Sequence, residues 1–174
     1  MKIHGPIIQF AYLVPDLAAA AHTWARQLHI GPFVAMEHVE YRTVDYRGRP
    51  SKIDLSVAFA QSADVQIELV TQHDASSSVF SEFRESHGFG LQHVGALTAD
   101  LEVARIELAA RGMEPVQSMT NAHGTRTAFF STDLGTGVTL ELIEQTPGVL
   151  QFFSELRARA AAWDGKQILI RRGK

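Results

Sequence analysis

The chain contains no cysteine. That removes a disulfide framework and every form of thiolate chemistry, whether nucleophilic or metal-binding. No apolar run approaches the roughly 20 residues of a membrane-spanning helix, and the opening MKIHGPIIQF lacks the apolar core of a secretory signal. An excess of one charge is missing too: 16 Lys and Arg against 19 Asp and Glu give a net charge of -3 and a pI near 6.2. Such a balance offers no broad basic field to nucleic acid or to an anionic membrane. The expected setting is therefore the cytoplasm, and the expected partner a small molecule or another protein. What is present is apolar residue: 45% of 174 positions are hydrophobic, enough for a real core in one domain or in two small fused halves.

Periodicity divides the chain. Strand-like alternation over residues 7–14 is followed by DLAAAAHTWARQLHIG, which opens on Asp16 as a helix N-cap and stops at Gly31. Three β-rich pieces follow, over 34–41, 52–60 and 65–70, separated by the turn-forming YRGRPS and QSAD. After a crossover, LQHVGALTADLEVARIELAARG repeats the order of strand, aspartate and alanine-rich helix, ending at Gly112. Aligning the two Asp-Leu pairs sets Asp16 and Leu17 on Asp100 and Leu101, Leu13 on Leu97, Ala20 on Ala104, and Gln9 on His93. Aligning VQIELVTQ with VTLELIEQ sets Val65, Glu68, Leu69 and Gln72 on Val138, Glu141, Leu142 and Gln145. Because the starts and the ends of both halves agree in order, the chain reads as an internal repeat. The expected organisation is one domain, 1–174, made of a first βαβββ module (7–70), a crossover (71–90), a second module (91–145), and a C-terminal helix and tail (146–174).

Strand geometry then sorts the chemistry, since side chains alternate between faces. Val65, Ile67 and Leu69 share a face that helices can cover, with Gln66, Glu68, Val70 and Gln72 opposite; Val138, Leu140 and Leu142 oppose Thr139, Glu141, Ile143 and Gln145. In the opening strand Ile8, Phe10, Tyr12 and Val14 oppose Gln9, Ala11 and Leu13, and His93 shares its face with Gly95. If the sheet curls, Gln9, Glu68, His93 and Glu141 converge. One imidazole, one amide and two carboxylates suit a divalent cation of intermediate hardness, and two buried acids need a counter-charge of that kind. Gln66, two residues before Glu68 on the same face, is an alternative donor.

These pieces carry a family resemblance. IIQFAYLVPDL, VQIELV, GLQHVGALTADL and GVTLELIEQ, in that order over about 7–144, resemble the vicinal oxygen chelate superfamily, which includes glyoxalase I, methylmalonyl-CoA epimerase, extradiol dioxygenases and the bleomycin and fosfomycin resistance proteins. The resemblance implies an α+β fold: two βαβββ modules forming curved mixed sheets around a central cleft, with an added C-terminal helix. It implies one divalent metal ion per site (Zn, Ni, Co or Mn) held by Gln9, Glu68, His93 and Glu141, a quartet similar to that of the eukaryotic type of glyoxalase I. Superfamily epimerases and dioxygenases usually begin with histidine where Gln9 stands, so two histidines and a carboxylate for iron cannot be assembled here. The arginine that binds glutathione in glyoxalases is matched by Leu13. The activity implied is that of a lyase or isomerase removing a proton next to a carbonyl, with Glu141 as first choice for the base and Glu68 as second. A drug-sequestering binding protein and a CoA-ester epimerase are the alternatives.

Two loops and the tail complete the reading. EYRTVDYRGRPS reads as a hairpin with charged edges, carrying Tyr41, Arg42, Tyr46, Arg47 and Arg49. MTNAHGTRTAFF offers His123 and Arg126 to an anionic substrate group. The tail predicts a helix over about 149–163, with Leu150, Phe153, Leu156 and Ala160 as an apolar stripe for the core or for a homodimer interface. The terminal Arg171, Arg172 and Lys174 make too short a basic run for nucleic acid.

Overall fold

The computed structural model describes residues 3–132, 134 and 136–172; Lys174 lies outside them. Strand β1 (Ile7–Leu13) leads into helix α1 (Leu17–Leu28), capped by Asp16, whose side chain accepts from the Ala19 amide. Strands β2 (Phe33–Met36), β5 (Leu55–Ser62) and β6 (Val65–Gln72) complete the first module. Between β2 and β5 stands a hairpin, β3 (Tyr41–Tyr46) and β4 (Arg49–Pro50). The second module is β7 (Gly90–Thr98), α3 (Leu101–Ala109), β8 (Pro115–Asn121), β9 (Arg126–Ser131) and β10 (Thr139–Glu144). Asp100 caps α3 as Asp16 caps α1, accepting from the Glu102 and Val103 amides.

All strands join one open, curved sheet in the order β11-β2-β5-β6-β1-β7-β10-β9-β8-β3-β4, where β11 is Leu169–Arg171. Each module runs outward from its own first strand, through a parallel pair (β1 with β6, β7 with β10) to antiparallel neighbours. The modules meet edge to edge where β1 and β7 pair antiparallel. This is the two-module curved sheet that the family resemblance implies.

Three features depart from the pattern read in the sequence. The hairpin read at YRGRPS forms, but its strand β3 pairs with β8 at the far end of the other module. The chain leaves the sheet where β2 ends after four residues and His38, at φ 51, turns it outward; where it goes is set by the pairing with β8. The crossover contains helix α2 (Val79–His87), started by a capping box between Ser78 and Ser81. The tail helix α4 (Pro147–Ala162) buries Val149, Phe153 and Leu156, while Leu150 is 42% exposed. Phe153 and Leu156 of the stripe thus lie in the core of this chain. No described helix is long and apolar enough to cross a membrane.

The helices divide between the two faces of the sheet. Outside, α1 packs over Ala35, Ala58, Ile67 and Leu69, and α3 over Ala96, Ala128, Phe130, Leu140 and Leu142. These include the apolar positions that alternation assigned to the helix-covered side. Inside the curve, α2 sets Val79, Phe80 and Phe83 against Leu13, Val57, Val70 and Phe129, together with Val44 of the hairpin and Met119. Helix α4 fills the other end, with Val149 and Phe153 against Ile143 and Leu97, and Phe152 edge-on to Phe59 at 5.5 Å. Each such aromatic contributes about 1.5–3 kcal/mol on burial. Between the two helices a polar strip remains on the inner face.

Candidate metal centre

Register places that strip. Ala11 of β1 is paired with Glu68 on one side and His93 on the other, while Gly95 of β7 is paired with Glu141 and Gln9. The two triplets are related by the repeat: Ala11 corresponds to Gly95, His93 to Gln9, and Glu68 to Glu141. In each, a small residue lies between two long polar ones, and residues directly opposite on neighbouring strands point to the same face. A Cβ at Gly95 would collide with the side-chain oxygen of Gln9. The smallness of both central residues is what lets the long side chains meet above them.

They do meet. His93 Nε2 lies 3.2 Å from Glu68 Oε2 and 3.3 Å from Glu141 Oε2, and one ligand atom from each of the three residues falls within 4.8 Å of the others. All are buried, His93 at 1% exposure and each glutamate at 7%. Phe80 and Phe129 flank the imidazole edge-on, with centroids at 6.2 and 5.2 Å. Burial alone pulls the His93 imidazolium down, but the hydrogen bonds and charges of Glu141 and Glu68 outweigh it and raise His93 to about 9. Burial likewise pushes the Glu68 carboxyl up, against the opposing pull of His93. Two acids held around one nitrogen in an apolar setting require a positive charge, from the imidazolium or from a cation in its place.

The surrounding groups fit a cation. Gln9 donates its amide to Gln66 Oε1 at 3.3 Å, which leaves its own carbonyl oxygen buried with no hydrogen-bond partner. An orphaned acceptor of that kind costs about 1–3 kcal/mol unless a donor or a cation satisfies it. Gln66, the alternative donor, shares the face and is engaged by Gln9. His93 Nδ1 lies 2.7 Å from Gln92 Oε1, and Gln92 Nε2 donates to Thr139 Oγ1 at 3.2 Å. With Nδ1–H donating to Gln92, loss of the Nε2 proton to an incoming cation would leave the Nε2 lone pair facing the space between the carboxylates, the tautomer a metal needs.

Sequence reading did not single out Gln92, because strict alternation puts it on the opposite face from His93. A β-bulge overrides the alternation: Ala11 pairs with His93 but Tyr12 with Leu91, leaving Gln92 as the extra residue. Tyr41 also gains a role through the hairpin. Its phenol is pushed well above the ordinary value, first by burial and then by the charges of Glu68 and Glu141, so it stays a neutral O–H donor within reach of their field. Tyr41 also lines a groove of about 760 Å³ with Val39, Thr43, Ile53, Met119 and Thr120.

His123 and Arg126 do not join this group. His123 sits exposed in the turn between β8 and β9, where its amide donates to Asn121 Oδ1. Arg126 lies on the outer face, its guanidinium held by Glu144 and Glu102. Glu144 pulls the Arg126 pKa up, and Arg126 in turn holds Glu144 below its ordinary value. An arginine so engaged, on the side of the sheet away from Glu141, is in no position to hold a substrate over the quartet.

Paired βαβββ modules with two acids, an imidazole and an amide on the inner face define a protein of the vicinal oxygen chelate type. The family model of the Glyoxalase/Bleomycin resistance protein/Dioxygenase superfamily matches residues 8–130, and the chain belongs to that superfamily. The matched stretch holds Gln9, Glu68 and His93; Glu141 lies beyond it and is brought in by the fold. A search of curated proteins gives no match. Among solved structures, the chain is similar to methylmalonyl-CoA epimerase from Mycobacterium tuberculosis (TM-score 0.59, 20% identity, 86% of this chain and 94% of that one). It is also similar to hypothetical protein BH1468 from Bacillus halodurans C-125 (0.59, 18%, 81% and 94%). A third is a Streptomyces coelicolor methylmalonyl-CoA epimerase variant in complex with 2-nitronate-propionyl-CoA (0.52, 15%, 82% and 99%). At these identities the likeness is one of fold.

Proposed function

We propose that the protein is a metal-dependent isomerase or lyase that removes a proton next to the carbonyl of a small oxygenated metabolite. The observation that carries this reading is the approach of Glu68 and Glu141, one from each module, to the same nitrogen of His93. Gln9, Glu68, His93 and Glu141 would hold one divalent ion of the Zn, Ni, Co or Mn kind. When bound, such an ion supplies Lewis-acid stabilisation of negative charge on substrate oxygen. Glu141 takes the proton from the carbon acid, and Phe80 and Phe129, edge-on to the His93 ring, make the surroundings of the site apolar. Tyr41 donates its O–H to the oxygen on which charge develops. The proton then returns from Glu141 to the former carbonyl carbon while the proton of the α-hydroxyl passes to the former carbonyl oxygen, which isomerises an α-hydroxycarbonyl substrate.

A second reading has its own observation. The two carboxylates are related by the internal repeat and approach the centre from opposite modules, an arrangement that lets one remove a proton from one face of a carbon and the other return a proton to the opposite face. That is epimerisation, and the epimerase neighbours share the fold. A 2-substituted acyl thioester such as a CoA ester is the corresponding substrate class. In either case a homodimer, an assembly common in this superfamily, would join through outer strands or exposed helix faces.

The test is exchange of the α-proton in deuterated water, followed by NMR over a panel of hydroxyketones and 2-substituted acyl thioesters. Replacing Glu141 with Gln should leave metal content largely intact and slow exchange by roughly 100-fold to 10,000-fold. Glu68→Gln should weaken metal retention more than the rate at saturating metal. Exchange as fast as wild type in the Glu141→Gln protein, with metal verified in both, removes Glu141 as the base. No exchange on any panel member by metal-loaded wild type leaves the non-catalytic binding protein as the better reading.

A further inference from the structure

A second group of ligand-type side chains stands away from the quartet, where three segments converge at one end of the first module. Asp54 immediately precedes β5 and His73 immediately follows β6. The pairing of Leu55 with Gln72 brings them together, and the His73 amide donates to the Asp54 carbonyl at 2.9 Å. His38 arrives from the other side, in the connection between β2 and β3. Its amide donates to Ser56 Oγ at 3.0 Å, and the Val39 amide to the Leu55 carbonyl at 2.8 Å. The left-handed backbone at His38, φ 51, is uncommon for a residue other than glycine, and it points the chain so that this imidazole folds back onto the sheet edge.

The side chains form a compact donor set. His38 Nδ1 is 2.7 Å from Asp54 Oδ1, and His73 Nε2 is 2.7 Å from Ser56 Oγ. The two rings lie nearly face to face, with centroids 4.6 Å apart and planes at 33°. One ligand atom from each of His38, Asp54 and His73 falls within 4.8 Å of the other two. Both histidines are exposed and Asp54 is half-buried, so an ion can reach them directly from solvent. Backbone hydrogen bonds hold the three segments together, and the exposed His–Asp pair by itself adds only about 0–1 kcal/mol to them. Two imidazoles and one carboxylate on the ends of paired strands are, by contrast, a set that divalent transition ions favour over calcium or magnesium, with positions left for water.

We propose that His38, Asp54 and His73 form a second divalent transition-metal site, of the Zn²⁺, Ni²⁺ or Cu²⁺ class, distinct from the quartet. Its position gives it a purpose. His38 stands three residues before the hairpin strand β3, and His73 six residues before helix α2; these are the two elements that close over the inner face of the sheet. An ion shared by both histidines clamps the roots of those elements together and sets how readily they part.

The two centres differ in nitrogen count, two histidines here against one in the quartet, so spectroscopy separates them. The wild-type chain titrated with Zn²⁺ alone should perturb the ring resonances of His38 and His73 in NMR, and Cu²⁺ should give an EPR signal with coupling to two imidazole nitrogens. Asp54→Asn should weaken Zn²⁺ at this centre by at least tenfold, and the double variant His38→Ala with His73→Ala should abolish it, leaving the resonance of His93 and its response to metal unchanged. Amide exchange over residues 41–50 should slow with Zn²⁺ in wild type and not in the double variant. Unmoved His38 and His73 resonances at saturating Zn²⁺, or equal Zn²⁺ stoichiometry in wild type and double variant, overturns the proposal. Because these are exposed side chains read one by one, the outcome does not depend on whether the quartet is catalytic.

Discussion

A Cβ on Gly95 would occupy the space of the Gln9 side-chain oxygen, so the absence of a side chain in β7 is what admits the amide of β1 to the centre. Gly95→Ala therefore has to push Gln9 aside. Overpacking of this kind costs roughly 1–3 kcal/mol, which in a chain of this size lowers Tm by several degrees. Metal affinity should fall as well, as the amide oxygen is displaced. Thermal unfolding with and without metal checks both, and a variant with wild-type Tm and affinity would mean that Gln9 has room elsewhere.

Gln92 tests how the imidazole is held. Replacing it with Leu removes the acceptor for His93 Nδ1 while leaving every ligand of the quartet in place. Metal affinity is expected to fall by about 10- to 100-fold, the usual effect of removing a partner that orients a histidine ligand. Isothermal titration with Zn²⁺ reads the change, and Gln92→Glu, which keeps an acceptor, should restore most of it.

For Tyr41 the expected signature is kinetic. Tyr41→Phe keeps the ring in the core beside α2 and removes only the hydroxyl, so metal content should be unchanged. Turnover on whichever substrate proves active should fall by about 100- to 1,000-fold, the scale of losing one donor to developing charge. An unaltered rate would place the phenol outside the reaction.

The hairpin is tied to α2 by a small cluster in which Glu82 accepts from Tyr46 OH at 2.8 Å and from Arg47 Nη2 at 2.7 Å. Burial tends to raise the Glu82 carboxyl, but Arg47 and Tyr46 together hold it below its ordinary value of 4.5. A depressed carboxylate contributes stability above the unfolded value and loses it as pH falls through the folded one. The stability difference between wild type and Glu82→Gln should therefore be present at pH 7 and disappear as pH drops below about 4.5. It will be small, since the Arg47 and Glu82 side chains are about half exposed, at 51% and 47%. Urea unfolding across that pH range is the measurement.

Much of this site was legible because strand alternation and the repeat are both short-range properties of sequence. Glu68 and Glu141 could be put on the inner face from their neighbours alone, and Gln9 and His93 followed from the Asp-Leu alignment. Three things were not. Bulges shift faces by one residue, so Gln92 comes round beside His93, and Ile8 packs with Leu97 and Ile143 rather than with Phe10 and Tyr12. The destination of the β3/β4 hairpin is set by pairing with a strand some seventy residues away, and no local pattern records it. Arg126 looked free for a ligand only because its partners Glu144 and Glu102 come from strand β10 and helix α3, brought beside it by the tertiary fold.

By sequence, residues 41–50 belong to the first repeat; by hydrogen bonding they finish the sheet of the second. The two halves are thus interlocked, and neither is a complete folding unit. Cut within the segment that joins them, the N-terminal fragment would carry a hairpin with no strand to pair with, and the C-terminal one a β8 edge left bare, so each would be expected to fold fully only by recapturing the other. The same reasoning applies to descent. A single-module ancestor with this hairpin would have needed a second copy of itself to satisfy it, and fusing the two copies would have turned an exchange between molecules into a bond within one.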